Sequence, residues 1–387
     1  MSLQTYPQSN YVNSSKSSNA SEAEVKTMLF YCREGYESDL AAELEHHSAT
    51  QQLYGYSQLV PNSAIVKYHF YKGLTKQQQT KSFPWQDLIF ARQRLCVLGD
   101  LEFTDTQDRI GSIIEYMSQF TDIEENGLGD VFVEHADNEK GKEVAKFCKK
   151  FTVPLRQALR KKGWLTKKSH TGLPYLHLFL SDSSACVIAM SHPKNRHAQP
   201  LGITRLKFPP EAPSRSTLKL DEAIQLFMSP VQQSNYLQKG MTAVDLGACP
   251  GGWTFQLVSR GMRVEAIDNG AMDEGLMATG LVKYQATDGF KYQPIDGHVD
   301  WLVCDMIEKP EKVSILITQW LTKRQATSSI FNLKLPMKQR FQTVNELLAE
   351  MSSKLTEHQI LHQMQAKHLY HDRDEITVIV RSGVHLI

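Results

Sequence analysis

A glycine-rich turn carries the most informative spacing in the sequence. It reads DLGACPGGW over residues 245–253, so that Gly247, Gly251 and Gly252 surround a strand-to-helix turn. Such a turn needs backbone freedom and lets a ligand approach the main chain closely. A dinucleotide-binding turn would read GxGxxG, and a phosphate loop would end in Gly-Lys-Ser/Thr. The GxxPGG spacing without lysine therefore favours a ligand other than a phosphate group and disfavours a nicotinamide dehydrogenase.

The Asp-Leu-Gly-x-x-Pro-Gly-Gly-Trp pattern resembles the first motif of the FtsJ/RrmJ-like RNA ribose 2′-O-methyltransferases, which use S-adenosylmethionine. The resemblance implies that the turn holds the methionine part of this cofactor. The cofactor-binding residues that it implies in the turn are Asp245, Gly247, Cys249, Pro250, Gly251, Gly252 and Trp253.

Three further aspartates complete the implied cofactor site. Asp268 ends the second predicted strand and matches the acid that binds the cofactor ribose, where two acceptor oxygens suit a cis-diol. Asp288 matches the acidic position near the adenine, and Asp305 follows a later strand. A loop-capping role is the alternative for Asp268 and Asp288.

Four residues in chain order match the Lys–Asp–Lys–Glu tetrad of the same group. They are Lys219, Asp305, Lys334 and Glu375. The chain has His-Asp-Arg-Asp-Glu before the last position, where the family often carries Ser-Arg-x-x-Ser-x-Glu, so Glu375 departs most from the pattern. Cys249 stands where alanine is common and is interpreted as small buried filler. No Pro-Cys follows Asp305, which disfavours methylation at the cytosine C5 position.

The chemistry explains the residue types. A ribose 2′-hydroxyl is a poor nucleophile, so transfer requires in-line positioning and a route for the hydroxyl proton. A lysine acts as a base only if its pKa falls well below about 10.4, through burial or a neighbouring cation. Lys334 is our candidate base and Lys219 the neighbouring cation. Asp305 and Glu375 would hold both ammonium groups and oppose the depression of the pKa, so the sequence leaves the assignment of the base open.

A basic segment, residues 142–168, predicts contact with RNA. It holds ten basic side chains and one acid, Glu143, in a chain with 43 Lys+Arg and 42 Asp+Glu. Cations that contact phosphates release counterions, and the interleaved Phe151 and Trp164 could stack on bases. An ordinary solvated helix face is the alternative. The predicted RNA-binding residues are Lys149, Lys150, Arg156, Arg160, Lys161, Lys162, Lys167 and Lys168.

The secondary-structure elements that must position these residues follow one pattern before residue 191 and another in the C-terminal part of the chain. Before residue 191, we predict strands at 64–70 and 130–134, a hairpin at 175–180 and 185–190, and a helix to about residue 162, interrupted near Pro154. Scattered prolines from residue 191 indicate a linker. Strands at 242–246, 264–268 and 299–305 then alternate with helices, which predicts a doubly wound parallel sheet.

The predicted fold class is therefore α/β, with a C-terminal Rossmann-like methyltransferase domain and an N-terminal α+β ferredoxin-like and THUMP-like region. We expect a flexible leader at 1–26, the N-terminal RNA-binding region at 27–190, a linker at 191–213 and the methyltransferase domain at 214–387. The N-terminal region joined to this motif resembles the RlmM family of bacterial 23S rRNA cytidine 2′-O-methyltransferases. That resemblance implies modification of cytidine 2498 in free rRNA or an early large-subunit precursor.

Composition limits the remaining possibilities. No apolar run approaches the length of a membrane span, and the N-terminus is unlike a secretion signal, so we expect a cytoplasmic protein. The six cysteines lack CxxC spacing and no histidine set suggests a metal site, so neither disulfides nor zinc are expected. No obligate protein partner is predicted. The alternatives are a 2′-O-methyltransferase for another rRNA or tRNA site and an inactive RNA-binding factor of ribosome assembly.

Overall fold

The computed structural model describes residues 25–386, so the predicted leader lies outside it except for its last two residues. The N-terminal half forms one seven-stranded sheet in the order β2-β3-β1-β4-β7-β6-β5. Its strands are β1 (Val25–Tyr31), β2 (Gly55–Leu59), β3 (Ile65–Leu74), β4 (Gln93–Glu102), β5 (Asp130–His135), β6 (Tyr175–Leu180) and β7 (Ala185–Ser191). The first two residues of β1 fall within the predicted leader, whose boundary at residue 26 stays a prediction.

Five helices accompany this sheet. They are α1 (Glu37–Gln51), α2 (Lys76–Lys81), α3 (Arg109–Met117), α4 (Thr121–Asn126) and α5 (Glu139–Lys161). The predicted interruption of α5 near Pro154 was wrong, because the helix continues through this residue. Pro154 is exposed, so the carbonyl that loses its helical donor there can be hydrated.

The C-terminal half forms a second seven-stranded sheet in the order β10-β9-β8-β11-β12-β14-β13. Its strands are β8 (Thr242–Leu246), β9 (Arg263–Ile267), β10 (Val282–Gln285), β11 (Val299–Cys304), β12 (Ala326–Lys334), β13 (His362–Lys367) and β14 (Glu375–Ser382). Its helices are α6 (Thr217–Phe227), α7 (Pro230–Tyr236), α8 (Gly252–Val258), α9 (Glu274–Ala278), α10 (Pro310–Thr322) and α11 (Arg340–Glu357).

The C-terminal sheet contains the predicted parallel strands and adds two antiparallel strand pairs at one side. Strands β8 to β12 are parallel to one another, as expected, but β14 runs antiparallel to both β12 and β13. The carboxyl ends of β8, β11 and β12 therefore meet the beginning of β14 at one edge of the sheet. Ligands of open α/β sheets bind at this edge.

The proline-rich segment 191–213 is fixed to the N-terminal half over much of its length. The Arg196 guanidinium donates to the carbonyls of Thr171, Leu173 and Ser191 at 2.8, 2.9 and 3.2 Å. Ile203 is buried. This segment therefore supports the structure rather than acting only as a connection, while the predicted division into domains stays a prediction.

The two halves share a hydrophobic core. Leu40 and Leu44 of α1 belong to the same cluster of buried side chains as Val344 and Met351 of α11. Helix α1 packs against α11. A cleft remains between the halves on the side where β12 ends.

Candidate functional site

Two cavities and the cleft meet at the carboxyl edge of the C-terminal sheet. A cavity of about 310 Å³ lies between the glycine-rich turn and α6, and one of about 400 Å³ lies between β9 and the segment 287–290. Gly247, Cys249 and Asp305 line both. The cleft of about 910 Å³ shares Ser216, Lys219 and Lys334 with the first cavity. The three spaces therefore form one continuous site.

The glycines of the turn are required by its shape. Gly247 has φ +79, and a Cβ atom there would lie 2.7 Å from the Cγ atom of Met306. At Gly252, which begins α8, a Cβ atom would lie 2.1 Å from the Ser216 hydroxyl and 2.4 Å from the Ser214 hydroxyl. Distances below 3.0 Å cannot be accommodated without movement, so the main chain itself lines the first cavity at Gly247.

The aspartates predicted to bind a cofactor occupy different positions. Asp268 and Asp288 line the second cavity. The two carboxylate oxygens of Asp268 accept the N–H groups of Cys249 at 3.0 Å and Gly270 at 2.9 Å. Asp288 accepts the Phe290 N–H at 2.9 Å. Each acid thus caps a loop and also faces the cavity, so the capping role does not remove it from the candidate cofactor site.

Asp245 differs from the other acids because it is fully buried beneath the turn. Its Oδ2 accepts the Thr254 hydroxyl at 2.6 Å, while Oδ1 is buried without a hydrogen-bond partner among the described residues. Burial raises the pKa of Asp245 to about 7. This side chain supports the turn from below.

Cys249 and Trp253 also take distinct positions. Cys249 is only half-buried and lines both cavities, which corrects its interpretation as buried filler. Burial and then the nearby Asp268 raise the pKa of its thiol to about 11, which leaves it a poor nucleophile. Trp253 is buried, forms part of the wall of the first cavity and packs in the core beside α6.

These cavities suit an S-adenosyl group in shape and donor set. The second cavity offers the Asp268 carboxylate, whose oxygens retain lone pairs for a diol, and the apolar side chains Ile267 and Phe290 for a flat ring. The first offers an open main-chain surface at Gly247 beside Lys219 and Asp305. A ligand that spans both would bring its centre next to Asp305.

The predicted tetrad is assembled by the register of two strands and one helix. Lys334 of β12 lies directly opposite Glu375 of β14, and these side chains form an ion pair. Lys219 projects from the first turn of α6 and pairs with Glu375 at 2.5 Å and with Asp305 at 3.1 Å. Cross-strand neighbours share a face of the sheet. The four residues thus form one chain of contacts at the junction of the first cavity with the cleft.

The two lysines of this cluster have different charged neighbours. Burial lowers the pKa of Lys219, but Asp305 and Glu375 outweigh burial and raise it above its ordinary value. Burial raises the pKa of Asp305, only partly offset by Lys219. Burial would raise the pKa of Glu375, but Lys219 and Lys334 hold it below its ordinary value. Lys219 is therefore fixed as an ammonium group between two acids, whereas Lys334 forms an ion pair with only one acid, Glu375, among residues 25–386.

Sequence reasoning missed the residues that hold the loop before Glu375. Glu222, one helical turn after Lys219, accepts the N–H groups of Tyr370 and His371, each at 2.9 Å. From the N-terminal half, the Arg33 guanidinium donates to the Asp372 carbonyl at 2.6 and 2.7 Å. The spacing of Lys219 and Glu222 could have indicated that both face the site.

Asn332 and Thr377 form a second cross-strand pair that the sequence analysis also missed. They lie opposite each other, two residues from the pair formed by Lys334 and Glu375. Asn332 donates its amide to Asp305 at 2.7 Å. The period of two along a strand places alternate residues on one face, so Asn332 could have been found from Lys334 once the strand was assigned.

The predicted RNA-binding residues divide into two sets. Arg156 is half-buried and pairs with Asp130 at 2.5 Å, and Arg160 donates to the carbonyls of Thr166 and Lys167. These guanidinium groups hold the N-terminal half together. The remaining predicted residues are exposed: Lys149, Lys150, Lys161, Lys162, Lys167 and Lys168. Trp164 is buried, which removes it as a stacking platform for bases.

Two further properties of residues 25–386 concern metal ions and membranes. Within this range, no group of three or more His, Cys, Asp or Glu side chains is arranged to hold a metal ion. No helix in the same range has the length and apolar character needed to cross a membrane.

Three family descriptions match successive parts of the chain. Residues 25–95 match the RlmM ferredoxin-like domain, and residues 108–192 match the N-terminal domain of ribosomal RNA large subunit methyltransferase M. Residues 212–368 match the FtsJ-like methyltransferase domain. The last match contains the glycine-rich turn, Lys219, Asp305 and Lys334.

Relatives match nearly the whole chain. Ribosomal RNA large subunit methyltransferase M of Pseudoalteromonas atlantica is 48% identical over 355 residues, which cover 92% of this chain and 98% of the relative. The protein of the same name from Histophilus somni is 46% identical over 356 residues, covering 92% and 99%. That from Vibrio atlanticus is 43% identical over 361 residues, covering 92% and 98%. The chain therefore belongs to the ribosomal RNA large subunit methyltransferase M family.

Proposed function

We propose that the protein transfers a methyl group from S-adenosylmethionine to the 2′-hydroxyl of a cytidine ribose in 23S rRNA, by resemblance cytidine 2498. The observation that carries this proposal is the position of the tetrad. Its two lysines and two acids lie where the cavity beside the glycine-rich turn opens into the cleft between the halves. A methyl donor in the cavity and a ribose in the cleft would meet at these side chains.

The cofactor would occupy the two cavities. Asp268 would bind the ribose hydroxyls, Asp288 would lie near the adenine, and the main chain at Gly247 would face the methionine part. When bound, the cofactor supplies an activated sulfonium methyl group. Asp305 lines both cavities and would therefore border the reacting centre.

The tetrad would orient the ribose hydroxyl and accept its proton. Lys219 stays charged because two acids hold it, so it suits electrostatic orientation of the hydroxyl rather than proton removal. Lys334 contacts one acid and borders both the cavity and the cleft. We assign proton acceptance to Lys334, with Glu375 positioning both lysines.

The cleft would admit the RNA strand. Arg215 and Arg373 are exposed on its walls, and neither guanidinium has a hydrogen-bonded or ionic partner among residues 25–386. Arg92 lies 5.3 Å from the ring centre of Tyr370 on the same wall. Free guanidinium groups suit phosphate contacts that fix a strand without reading its sequence.

The test is to incubate the purified protein with methyl-labelled S-adenosylmethionine and unmodified 23S rRNA, tRNA or assembled large subunits. The product nucleosides are then identified by mass spectrometry. We expect label in 2′-O-methylcytidine from 23S rRNA, lost on Lys334→Ala with RNA affinity retained. Lys338→Ala, an exposed lysine in the segment after β12, is the control and should keep its activity.

Each other outcome has a defined meaning. Label in a base would contradict ribose methylation, and label only in tRNA would contradict the rRNA assignment. Binding of both cofactor and RNA without transfer would favour the inactive assembly factor.

A further inference from the structure

Behind the tetrad, four side chains form a continuous buried chain of hydrogen bonds. The Asn332 amide nitrogen lies 2.7 Å from Oδ1 of Asp305, and the Thr377 hydroxyl lies 2.8 Å from the Asn332 carbonyl oxygen. The same hydroxyl lies 3.1 Å from each carboxyl oxygen of Asp372. Asn332, Thr377 and Asp372 are each at most 1% exposed. The direction of every hydrogen bond in this chain is therefore set by the protein groups themselves.

We propose that Asp372 is a neutral carboxylic acid that positions the Asp305 carboxylate through Thr377 and Asn332. The inference rests on the proposed function, because that function makes Asp305 part of the reacting centre. Asp372 borders the cleft but neither cofactor cavity, and it is fully buried, so its role is positioning rather than catalysis.

The donors can be assigned in order from Asp305. Both oxygens of Asp305 face the Lys219 ammonium, at 3.1 and 3.2 Å, which makes Asp305 the charged acid. A carboxylate only accepts hydrogen bonds, so Asn332 must present its NH2 group to Asp305 and its carbonyl to Thr377. The single hydroxyl proton of Thr377 must then be donated to Asn332.

This assignment leaves the Thr377 oxygen facing Asp372 with lone pairs only. An ionised Asp372 would also present lone pairs, and two acceptors would face each other in a buried site. A proton on Oδ1 of Asp372 resolves the conflict, because Oδ1 then donates to Thr377. Its other oxygen, Oδ2, accepts the Leu369 N–H at 3.0 Å. Each contact in the chain then pairs one donor with one acceptor.

The charges around Asp372 agree with a neutral acid. Among residues 25–386, no lysine or arginine side chain forms an ion pair with its carboxyl group. Burial, followed by the charge of Glu375, raises the pKa of Asp372 well above its usual range, and these effects outweigh the hydrogen bond from Leu369 and the charge of Lys219, which lower it. The charged or titratable groups that face this region are Lys219 and Glu222 of α6, Glu375 of β14, Arg33 of the N-terminal half, and His371 and Arg373 of its own loop.

The first experiment measures methyl transfer by two pairs of test variants and one pair of control variants. Asp372→Ala should lower kcat at least about tenfold, because Thr377 loses its donor and the hydrogen bonds no longer hold the Asp305 carboxylate in position. Asp372→Asn should restore most of the activity, since its NH2 group donates to Thr377 and its carbonyl accepts from Leu369. Thr377→Val should lower kcat similarly, with cofactor and RNA affinities unchanged, and Thr377→Ser should restore it.

Thr318→Val and Thr318→Ser provide the matched control. Thr318 is a buried threonine of α10 that donates to the Ser314 carbonyl, outside the site. Loss of activity in Asp372→Asn equal to that in Asp372→Ala would overturn the proposal. It would mean that Asp372 is ionised and that the chain runs in the opposite direction.

A second measurement does not depend on activity. A carboxyl group whose pKa is raised on folding takes up a proton, so its contribution to stability is complete below its unfolded pKa of about 4 and is lost as pH rises. The Tm of Asp372→Asn minus that of the unaltered protein should therefore grow from about pH 5 to about pH 8. A constant difference would contradict a neutral Asp372.

The two measurements separate this inference from the proposed function. If the unaltered protein forms no 2′-O-methylcytidine, the proposed function fails, while the stability difference still decides whether Asp372 is protonated. If transfer occurs and the stability difference is constant, the proposed function stands and the inference fails.

Discussion

At the scale of single residues, the Asp268 carboxylate both fixes the fold and faces the candidate cofactor site. Its oxygens hold the N–H groups of Cys249 and Gly270, which fixes the glycine-rich turn against the loop after β9. The same carboxylate faces the second cavity. A deletion at this position would disturb the turn as well as the proposed cofactor contact, so an isosteric change is needed to test that contact.

Asp268→Asn should weaken S-adenosylmethionine binding by about tenfold or more, measured by calorimetry. The amide keeps one acceptor and replaces the other by a donor, so a main-chain N–H or a cofactor hydroxyl loses its partner, at a cost of about 1–3 kcal/mol. Asp296→Asn, in an exposed loop of the same half, is the control and should bind like the unaltered protein. Equal affinity in both variants would remove Asp268 from the cofactor site.

The sequence contains the tetrad as residue types in order, but not the groups that support it. Lys334 could be proposed from its place at the end of a predicted strand, and Glu375 from its order in the chain, although the residues before it depart from the family pattern. Asn332 and Thr377 meet only through the antiparallel register of β12 and β14, although they lie 45 residues apart in the sequence. Asp372 is neutral only in that packed setting. Contacts of this kind depend on tertiary structure, so local pattern cannot supply them.

At the scale of elements, α5 combines a structural face with an exposed basic one. Arg156 lies towards the sheet and pairs with Asp130 of β5, whereas Lys161 and Lys162 are exposed at the end of the helix. The sequence identified the basic helix, but the helix rotation that separates its two kinds of cation became visible only from packing. The two faces should therefore respond differently to substitution.

Changing Lys161 and Lys162 together to Ala should weaken RNA binding and flatten its salt dependence, because up to two phosphate contacts are lost. Cofactor affinity should not change. Arg156→Ala should instead lower the free energy of unfolding by about 1–3 kcal/mol, because a partly buried Asp130 loses its cation. Fluorescence anisotropy at several salt concentrations and urea unfolding measure the two effects. The same RNA salt slope in the lysine variant would show that this end of α5 does not contact RNA.

At the scale of the whole molecule, the two halves are joined by a buried lysine. Lys367, the last residue of β13, donates its ammonium group to the carbonyls of Trp85, Leu88 and Ala91 in the N-terminal half. Its ammonium lies 4.3 Å from the centre of the Trp85 ring. Burial lowers the pKa of Lys367, and it raises that of Glu43, whose carboxylate holds the N–H groups of Ile89 and Phe90. The loop of residues 85–91 is thus held by Lys367 from the C-terminal half and by Glu43 from the N-terminal half.

This junction lies within the same interface as the cleft and its Arg33 contact, so the relative position of the halves also determines the shape of the site. The shared core and the buried lysine predict that the two halves unfold together, in one calorimetric transition. Two well-separated transitions in the unaltered protein would show that the interface contributes little to stability.

Lys367→Met tests the junction directly. The substitution keeps most of the apolar stem but leaves three buried carbonyls without their donor and Glu43 without its nearby cation, so we expect a loss of about 3–5 kcal/mol. Lys354→Met on the exposed side of α11 is the matched control and should change stability by less than about 0.5 kcal/mol. Urea unfolding compares the variants. If both shift the midpoint equally, Lys367 does not hold the halves together. If only Lys367→Met shifts it and methyl transfer also falls, then the N-terminal half contributes to the geometry of the site as well as to RNA binding.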